Sequence, residues 1–254
     1  MGGRGGASGL SAGKVSGPYA DLHGAQSISE IVSVANDKYG IPLKESTLQG
    51  YNPDILKASV EDMHKLLEEL PGIKPFLKVI VGKADSAMDG ATADAGFEGT
   101  IRLNEKYYAG SVEDFQKARE QSEKFGYTPR GTGWKEVVIH ELGHLAERAI
   151  IDKRSQSEWT KGDNWNKGTF AAKIIKQAAD QIFKTDPKWA KMMKYADKND
   201  IKRYRDRLVR DVSRYGSKSR SEALAECVSD YYRNRENANP LSIEVWKLLK
   251  KELG

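Results

Sequence analysis

Two histidines and a glutamate stand together in an apolar stretch of the chain, at His140, Glu141 and His144. The apolar positions around them recur every three or four residues: Val138, Leu142, Leu145 and Ala149. On a helix, positions four apart lie one turn apart on the same face, so both imidazoles can reach a single metal ion. This stretch therefore predicts a helix with one face in the core and the other in an open cleft.

A glycine interrupts this predicted helix at Gly143. Glycine inside a helix costs about 1 kcal/mol relative to alanine, so its position needs a structural reason. The absence of a side chain would allow another backbone segment to approach the helix closely at this point. We expect such an approach at Gly143.

The cysteine and histidine counts narrow the kinds of metal site that are possible. One cysteine, Cys227, excludes an internal disulfide and zinc sites of the Cys₄ or Cys₂His₂ type. The other histidines, His23 and His64, are better explained as surface or capping residues. No further histidine follows His144 at the spacing of the metzincin motif, so the third ligand has to be a carboxylate.

Three acidic residues recur at four-residue intervals in the last third of the chain, at Glu222, Glu226 and Asp230. This spacing places them on one face of a helix, where their mutual repulsion favours a nearby cation. Glu222 also stands three residues after Ser219, which is the spacing of a helix capping box. The row can therefore supply a metal ligand, a helix cap or a solvated acidic edge.

The order of the remaining patterns predicts a predominantly helical α+β fold with a small sheet before the central helix. Residues 76–81 and 95–103 have the composition of short strands, and the polar segment 153–167 that of a loop. Helical periodicity begins near residue 26 and recurs over 55–70, 111–125, 134–152, 168–184, 187–196, 199–214, 219–235 and 241–252. We expect a flexible Gly-rich tail over 1–20, a helical segment over 21–75 and the main domain over 76–254.

The formal net charge of +5 is divided unevenly along the chain. Residues 1–150 carry 17 basic and 21 acidic side chains, whereas 151–254 carry 24 and 15. The basic residues are densest over 202–220: Lys202, Arg203, Arg205, Arg207, Arg210, Arg214, Lys218 and Arg220. Such a stripe can bind nucleic acid. Because apolar residues recur there every three or four positions, the solvated face of an amphipathic helix explains it better.

The motif His140-Glu141-Leu-Gly-His144, with Tyr215 and the string Glu222-Ala-Leu-Ala-Glu226, resembles the catalytic domain of the anthrax-lethal-factor-like metallopeptidases. These are zincins with a glutamate ligand, or gluzincins, and related domains occur in phage-encoded proteins. The resemblance implies a zincin-like metallopeptidase fold over 76–254 and one zinc ion per chain. It also implies hydrolysis of a peptide or protein substrate by a zinc-activated water.

The resemblance further implies a role for each matching residue. His140, His144 and Glu222 would bind zinc, with Glu141 as general base and Tyr215 as oxyanion donor. Glu226 would orient a ligand histidine, and the strand over 99–103 would be the sheet edge that pairs with substrate. A second register fits the spacing of thermolysin-like gluzincins: there Glu226 is the ligand and Asp230 its outer partner. Only the first register uses Tyr215.

The N-terminal and hydropathy patterns bear on where the protein acts. The Gly-rich residues 1–9 resemble the N-termini of proteins encoded in phage or mobile-element regions of Gram-positive bacteria. No stretch approaches the roughly 18 apolar residues of a membrane-spanning helix, and the start of the chain lacks the apolar core of a Sec signal peptide. We expect a cytoplasmic or phage-associated protein. The alternatives to an enzyme are a phage structural protein that retains the zinc fold, or nucleic-acid binding through 202–220.

Overall fold

The computed structural model describes residues 17–254, which form twelve α-helices and three β-strands. The helices are α1 (Ala20–Gly24), α2 (Ile28–Tyr39), α3 (Pro53–Glu69), α4 (Glu105–Tyr108), α5 (Val112–Lys124), α6 (Glu136–Arg154), α7 (Glu158–Asn166), α8 (Thr169–Thr185), α9 (Pro187–Met193), α10 (Lys198–Val212), α11 (Arg220–Asn234) and α12 (Pro240–Leu253). The strands are β1 (Val79–Lys83), β2 (Ala93–Ala95) and β3 (Thr100–Asn104). The predicted helical α+β class is confirmed, with the sheet preceding α6.

The ends of the described region bear on two expectations. Of the predicted Gly-rich tail, residues 1–16 lie outside the described residues, and Ala20 already begins α1. Within residues 17–254, no helix has the length and apolar character needed to cross a membrane.

The three strands form one mixed sheet in the order β1-β3-β2, with β1 parallel and β2 antiparallel to β3. The prediction of a single strand over 95–103 was wrong, because residues 96–99 form a turn closed by the Gly99 N–H and the Gly96 carbonyl at 2.9 Å. Gly99 has a φ of +93°, and a Cβ there would lie 2.1 Å from the Phe76 carbonyl oxygen. The turn therefore requires glycine. The other strand begins later than predicted, at Val79, after a 3₁₀ segment over Pro71–Phe76.

The polar segment predicted as a loop over 153–167 contains helix α7. Ser157 caps this helix by accepting a hydrogen bond from the Thr160 N–H at 3.2 Å, and Lys161 pairs with Asp152 of α6 at 2.7 Å. Among the described residues of α7, none is fully buried. The helix therefore lacks the apolar stripe on which the sequence-based assignment depended.

Helix α6 lies at the centre of the core, in contact with α3, α8, α11, α12 and strand β2. Its apolar positions are buried as the periodicity predicted: Val138, Leu142, Leu145 and Ala149. Buried residues of α3, such as Leu56 and Met63, belong to the same continuous core. The segment 21–75 thus packs with the rest of the described chain.

The expected close approach at Gly143 is present. A Cβ at this position would lie 2.7 Å from the Cα of Ala225 on α11, a distance that real Cβ atoms do not reach. Glycine therefore allows the backbones of α6 and α11 to pack directly against each other. This contact brings together the helix with the two histidines and the helix with the acidic row.

Candidate metal centre and catalytic site

Helix α6 presents His140 and His144 side by side along one edge of a cleft. Their ring centroids lie 4.9 Å apart and the ring planes are inclined by 79°. The two side chains are 10% and 12% exposed, so each imidazole is mostly enclosed while one edge remains accessible. The structure thus gives α6 the buried face and the cleft face that the sequence predicts.

Glu222, in the first turn of α11, faces both imidazoles. Its Oε2 lies 3.0 Å from His140 Nε2 and 3.5 Å from His144 Nε2. Its backbone N–H donates to Ser219 Oγ at 3.1 Å, so Ser219 caps α11. Capping by Ser219 and a ligand position for the Glu222 carboxylate are therefore compatible, since they use different atoms of the residue.

The electrostatics of this cluster favour positive charge between the three side chains. Burial lowers the pKa of His140, but hydrogen bonds to Glu222 and Glu226 outweigh it and raise the pKa to about 10. Burial raises the pKa of Glu222, but its hydrogen bonds to His140 and His144 hold that pKa well below its usual range. A bound divalent cation would supply the same positive charge.

Glu226 contacts the other ring nitrogen of His140, not the one that faces Glu222. Its Oε1 is 2.9 Å from His140 Nδ1, and the residue is 1% exposed. Asp230, one turn further along α11, accepts hydrogen bonds from the Asn234 side chain and the Asn239 backbone N–H, both at 2.8 Å. Asp230 is therefore bonded at the end of α11 and at the residue before α12, and the register with Glu226 as ligand and Asp230 as its outer partner stays a prediction.

Glu141 is buried next to the histidine pair and borders the cavities on both sides of it. Burial raises its pKa, and the neighbouring imidazoles of His140 and His144 oppose that rise. A carboxylate enclosed in this way is shielded from bulk water except through the cleft. Its position suits proton transfer to and from a molecule bound there.

Tyr215 reaches the same cleft from a 3₁₀ turn, Tyr215–Ser217, just before α11. Its ring centroid is 5.8 Å from that of His140. Burial, and to a lesser extent the negative charge of the nearby Glu222, raises the pKa of its hydroxyl well above the usual range. Its backbone N–H donates to the Tyr127 carbonyl at 3.0 Å, and the Lys218 Nζ lies 4.2 Å from its ring centroid. A protonated phenol at this position can donate a hydrogen bond into the cleft.

An ion pair between Arg119 of α5 and Glu136 of α6 adjoins this cluster, and the sequence analysis missed it. Carboxylate oxygens of Glu136 and Glu226 lie within 4.8 Å of each other and of a His140 nitrogen. Arg119 offsets the repulsion between these two buried carboxylates. Glu136 stands four residues before His140, so its place on the same face of the helix could have been predicted from the spacing. Nothing comparable in the sequence indicated Arg119.

The donor set of His140, His144 and Glu222 fits a zinc ion. One ligand atom from each residue lies within 4.8 Å of the other two. Two imidazole nitrogens and a carboxylate oxygen are typical ligands of catalytic zinc, which keeps a fourth position open. The second possible group, formed by Glu136, His140 and Glu226, already has the Arg119 guanidinium as its cation and fits a metal less well.

Two cavities adjoin the histidine pair. The Glu226-side cavity, of about 460 Å³, extends from Glu141 to Arg119, and the His144-side cavity, of about 370 Å³, extends from Glu141 to Trp165. Both are bordered by His140, Glu141 and Tyr215, which places these residues between the two cavities. A ligand that spanned both cavities would pass over His140, Glu141 and Tyr215.

The sheet edge at this cleft is β2, and the assignment of 99–103 as the edge strand was wrong. Strand β3 is paired on both sides, by β1 and by β2. The Gly96 N–H donates to the Thr100 carbonyl, and the Asn104 N–H donates to the Thr92 carbonyl. These bonds fix which residues of β2 turn their backbone groups towards β3 and which turn them away. In this register the backbone groups of Ala93 and Ala95 point away from β3.

The two remaining histidines lie elsewhere. His23 Nε2 is 2.8 Å from Glu61 Oε2, and His64 Nδ1 is 2.9 Å from the Tyr19 hydroxyl. The His23 contact is exposed at the surface, and the His64 contact is partly buried. Neither histidine belongs to the groups of described side chains that could hold a metal ion, as the sequence predicts.

The basic stripe over 202–220 is largely paired with acidic side chains. Five of its eight members lie within 4 Å of an Asp carboxylate: Lys202, Arg203, Arg205, Arg207 and Arg220. Leu208 and Val212 on the opposite face of α10 are buried. This arrangement is the amphipathic helix that the periodicity predicts, and it leaves few free cations for phosphate groups.

Comparisons with known proteins found no match: no family model, curated protein or solved structure matches this chain.

Proposed function

We propose that this protein is a zinc-dependent metallopeptidase of the gluzincin type, with a zincin-like fold. The observation that carries the proposal is the convergence of His140, His144 and Glu222, with one ligand atom from each residue within 4.8 Å of the other two. The buried Glu141 beside them supplies a base at the same point. The small sheet before the two-histidine helix and the glutamate from a later helix support the fold assignment.

His140, His144 and Glu222 would hold the ion. An ion held there would supply a Lewis acid, which would lower the pKa of a water molecule towards about 7 and polarise the carbonyl of the scissile bond. Glu226 accepts the Nδ1–H of His140, which turns Nε2 towards the cleft and fixes the ring orientation. Arg119 compensates the negative charges of Glu226 and of the neighbouring Glu136.

Glu141 acts as the general base in this proposal. It takes a proton from the attacking water, whose oxygen bonds to the carbonyl carbon, and passes that proton to the leaving amine as the C–N bond breaks. The Tyr215 hydroxyl donates a hydrogen bond to the oxyanion that forms on the carbonyl oxygen. Both side chains border both cavities, as a role at the scissile bond requires.

Strand β2 offers a way to hold the substrate backbone. The outward backbone groups of Ala93 and Ala95 border the His144-side cavity, next to Glu141 and His144. An extended peptide can pair with such an edge as an added strand, with its side chains alternating between the cleft and solvent. This geometry favours a peptide over a compact small molecule as substrate.

The proposal is tested with a proteome-derived peptide mixture, with cleavage monitored by mass spectrometry. The zinc-loaded wild type is expected to cleave, to lose activity with a chelator and to regain it with zinc. Glu141→Gln is expected to keep its zinc while losing cleavage, since only the base is removed. A zinc-loaded wild type that cleaves no peptide would instead favour the structural-protein alternative. Retention of full activity in Glu141→Gln would exclude Glu141 as the base.

A further inference from the structure

A group of lysines lies on the surface formed by α9 and its two flanking turns, and its members lack acidic partners. The stretch 184–198 contains five lysines: Lys184, Lys188, Lys191, Lys194 and Lys198. All five are exposed, and among residues 17–254 no carboxylate oxygen lies within 4 Å of their ammonium groups. The next lysine along the chain differs, since Lys202 pairs with Asp206 at 2.9 Å. We call the five residues the lysine patch.

The two acidic side chains of this stretch, Asp186 and Asp197, are directed to the backbone at helix starts. Asp186 Oδ1 accepts hydrogen bonds from two N–H groups of α9, at 2.8 and 3.2 Å. Asp197 Oδ1 accepts from two N–H groups of α10, both at 2.8 Å. Such caps bind otherwise unpaired N–H groups and lie at the positive end of the helix dipole. The carboxylates of this stretch therefore serve the helices and leave the lysine charges unmatched.

Helix α9 is fixed to the core by its apolar side chains. Trp189 is buried, with its ring centroid 5.4 Å from that of Phe183 on α8 and 5.6 Å from that of Tyr204 on α10. Met192 and Met193 pack against the same core. These contacts hold the apolar side of α9 inward and leave its lysines facing solvent.

The spacing of the lysines along α9 brings like charges together. Lys188, Lys191 and Lys194 follow one another at intervals of three residues, which places successive ammonium groups about one helical turn apart. Like charges at this spacing destabilise a helix. A polyanion lying on the patch would supply the counter-charge that the chain itself does not provide there.

An exposed aromatic ring stands within the lysine patch. Tyr195 follows α9 in a turn where its N–H donates to the Met192 carbonyl at 3.3 Å, between Lys194 and Lys198 in the sequence. Its side chain is 87% exposed, the highest value among the large apolar and aromatic residues over 17–254. An exposed ring among free cations is typical of surfaces that bind single-stranded nucleic acid, where bases stack on the ring and cations contact the phosphates.

From this combination we infer that the lysine patch and Tyr195 bind single-stranded nucleic acid, with the lysines at the phosphates and a base stacked on the Tyr195 ring. The inference does not rest on the proposed peptidase function. It also uses a different surface from the stripe over 202–220, most of whose cations have acidic partners.

Two other anionic partners match this surface less well. A duplex keeps its bases stacked on one another, so it offers no free base face to Tyr195. An anionic membrane takes up several apolar side chains of a protein bound at its surface, whereas Tyr195 is the only large apolar or aromatic side chain exposed over 184–198.

The test measures binding of the full chain to a fluorescein-labelled oligothymidylate of about 20 nucleotides by fluorescence anisotropy. The wild type is expected to bind with a Kd below about 100 µM at about 50 mM NaCl. Raising the salt to about 200 mM should weaken binding about 50- to 100-fold, because four or five phosphate contacts give a log–log slope of about −3 for single strands.

Two triple variants with the same change in net charge test whether the lysine patch carries the binding. The patch variant is Lys188→Gln, Lys191→Gln and Lys194→Gln, and the control is Lys44→Gln, Lys124→Gln and Lys251→Gln, three exposed lysines elsewhere on the chain. The patch variant is expected to bind at least about tenfold more weakly at low salt, with a slope shallower by about two. The control should stay within about threefold of wild type.

Substitutions of Tyr195 test the stacking contact separately from charge. Tyr195→Ala is expected to weaken oligonucleotide binding about tenfold, and Tyr195→Phe at most about twofold, since a phenyl ring also stacks on a base. Binding to a duplex of the same length should be unaffected by Tyr195→Ala. Circular dichroism verifies that each variant is folded.

Four results would overturn the inference. These are absence of oligonucleotide binding by wild type at low salt, equal losses in the two triple variants, unchanged binding in Tyr195→Ala, and binding to phosphatidylserine vesicles without binding to the oligonucleotide. Each leaves the peptidase proposal as it stands, because peptide cleavage is measured independently.

Discussion

Gly143 of α6 lies against the backbone of Ala225 of α11, and this contact sets the separation of the two helices that carry the proposed zinc ligands. Ala225 stands between Glu222 and Glu226 in the sequence. The distance from each carboxylate to the imidazoles of α6 therefore depends on how closely the helices approach at this point.

Replacing Gly143 by alanine should separate these helices and weaken the site. The added Cβ would lie 2.7 Å from the Ala225 Cα, and such overpacking costs typically about 1–3 kcal/mol. The usual gain from alanine inside a helix, about 1 kcal/mol, offsets only part of it. Denaturant unfolding and zinc titration should show lower stability and lower zinc affinity. Gly162→Ala in α7, where a Cβ meets nothing within 4 Å, should be stabilising. Equal behaviour of the two variants would contradict the packing argument.

Glu226→Gln should weaken zinc binding without abolishing it. Removing an outer partner of a ligand histidine lowers metal affinity by about 10- to 100-fold, whereas removing a ligand does more. Asp230→Asn should leave zinc affinity within about threefold, because Asp230 is bonded to Asn234 and Asn239. Competition with a chromophoric chelator measures both affinities. Complete loss of zinc in Glu226→Gln together with weakened binding in Asp230→Asn would instead support the thermolysin-like register.

Tyr215→Phe should lower kcat by about 10²–10³-fold with little change in KM or zinc content. Removing one donor to the oxyanion has an effect of this size, because the interaction is stronger in the transition state than in the bound substrate. Tyr127→Phe is the control, since its ring packs on Tyr215 at 5.3 Å between centroids. Steady-state kinetics on one cleaved peptide distinguishes the two. A Tyr215→Phe variant with wild-type kcat would remove the phenol from the proposed chemistry.

Breaking the buried pair of Arg119 and Glu136 should be strongly destabilising. Arg119→Met leaves the buried Glu136 and Glu226 carboxylates without their shared cation, which costs about 3–5 kcal/mol. Glu136→Gln leaves Arg119 beside Glu226 and should cost less, and the double variant should lose less than the sum. The exposed pair of Lys117 and Glu113, on the same helix, is a suitable comparison. Its disruption should cost at most about 1 kcal/mol. Urea unfolding of these variants, with Lys117→Met and Glu113→Gln for the exposed pair, would show this difference, and equal losses for Arg119→Met and Lys117→Met would contradict it.

The parts of the site that depend on spacing along a helix could be predicted from the sequence. His140 and His144 are four residues apart, and Glu222 and Glu226 repeat that interval, so each pair shares a helical face whatever the tertiary fold. Arg119 could not be found in this way. Its partner Glu136 lies on another helix, and the sequence does not specify how α5 packs against α6.

The strand and loop errors have a similar physical origin. The turn between β2 and β3 depends on Gly99, whose positive φ and contact with the Phe76 carbonyl are visible only in the folded chain. Helix α7 has no fully buried side chain among its described residues. It therefore needs no apolar residues at helical spacing, and its sequence shows no such pattern. Its Ser157 cap is a local signal, but serine is also common in loops.

The most direct test of the proposed metal centre is the zinc content of the purified protein, measured by inductively coupled plasma mass spectrometry for wild type and variants. The account predicts about one zinc per chain in wild type and in His64→Ala, and near-complete loss in His140→Ala, His144→Ala and Glu222→Ala. Circular dichroism of the same samples verifies that the variants remain folded. A wild type that neither contains nor takes up zinc, or a folded Glu222→Ala variant with a full complement of zinc, would contradict it.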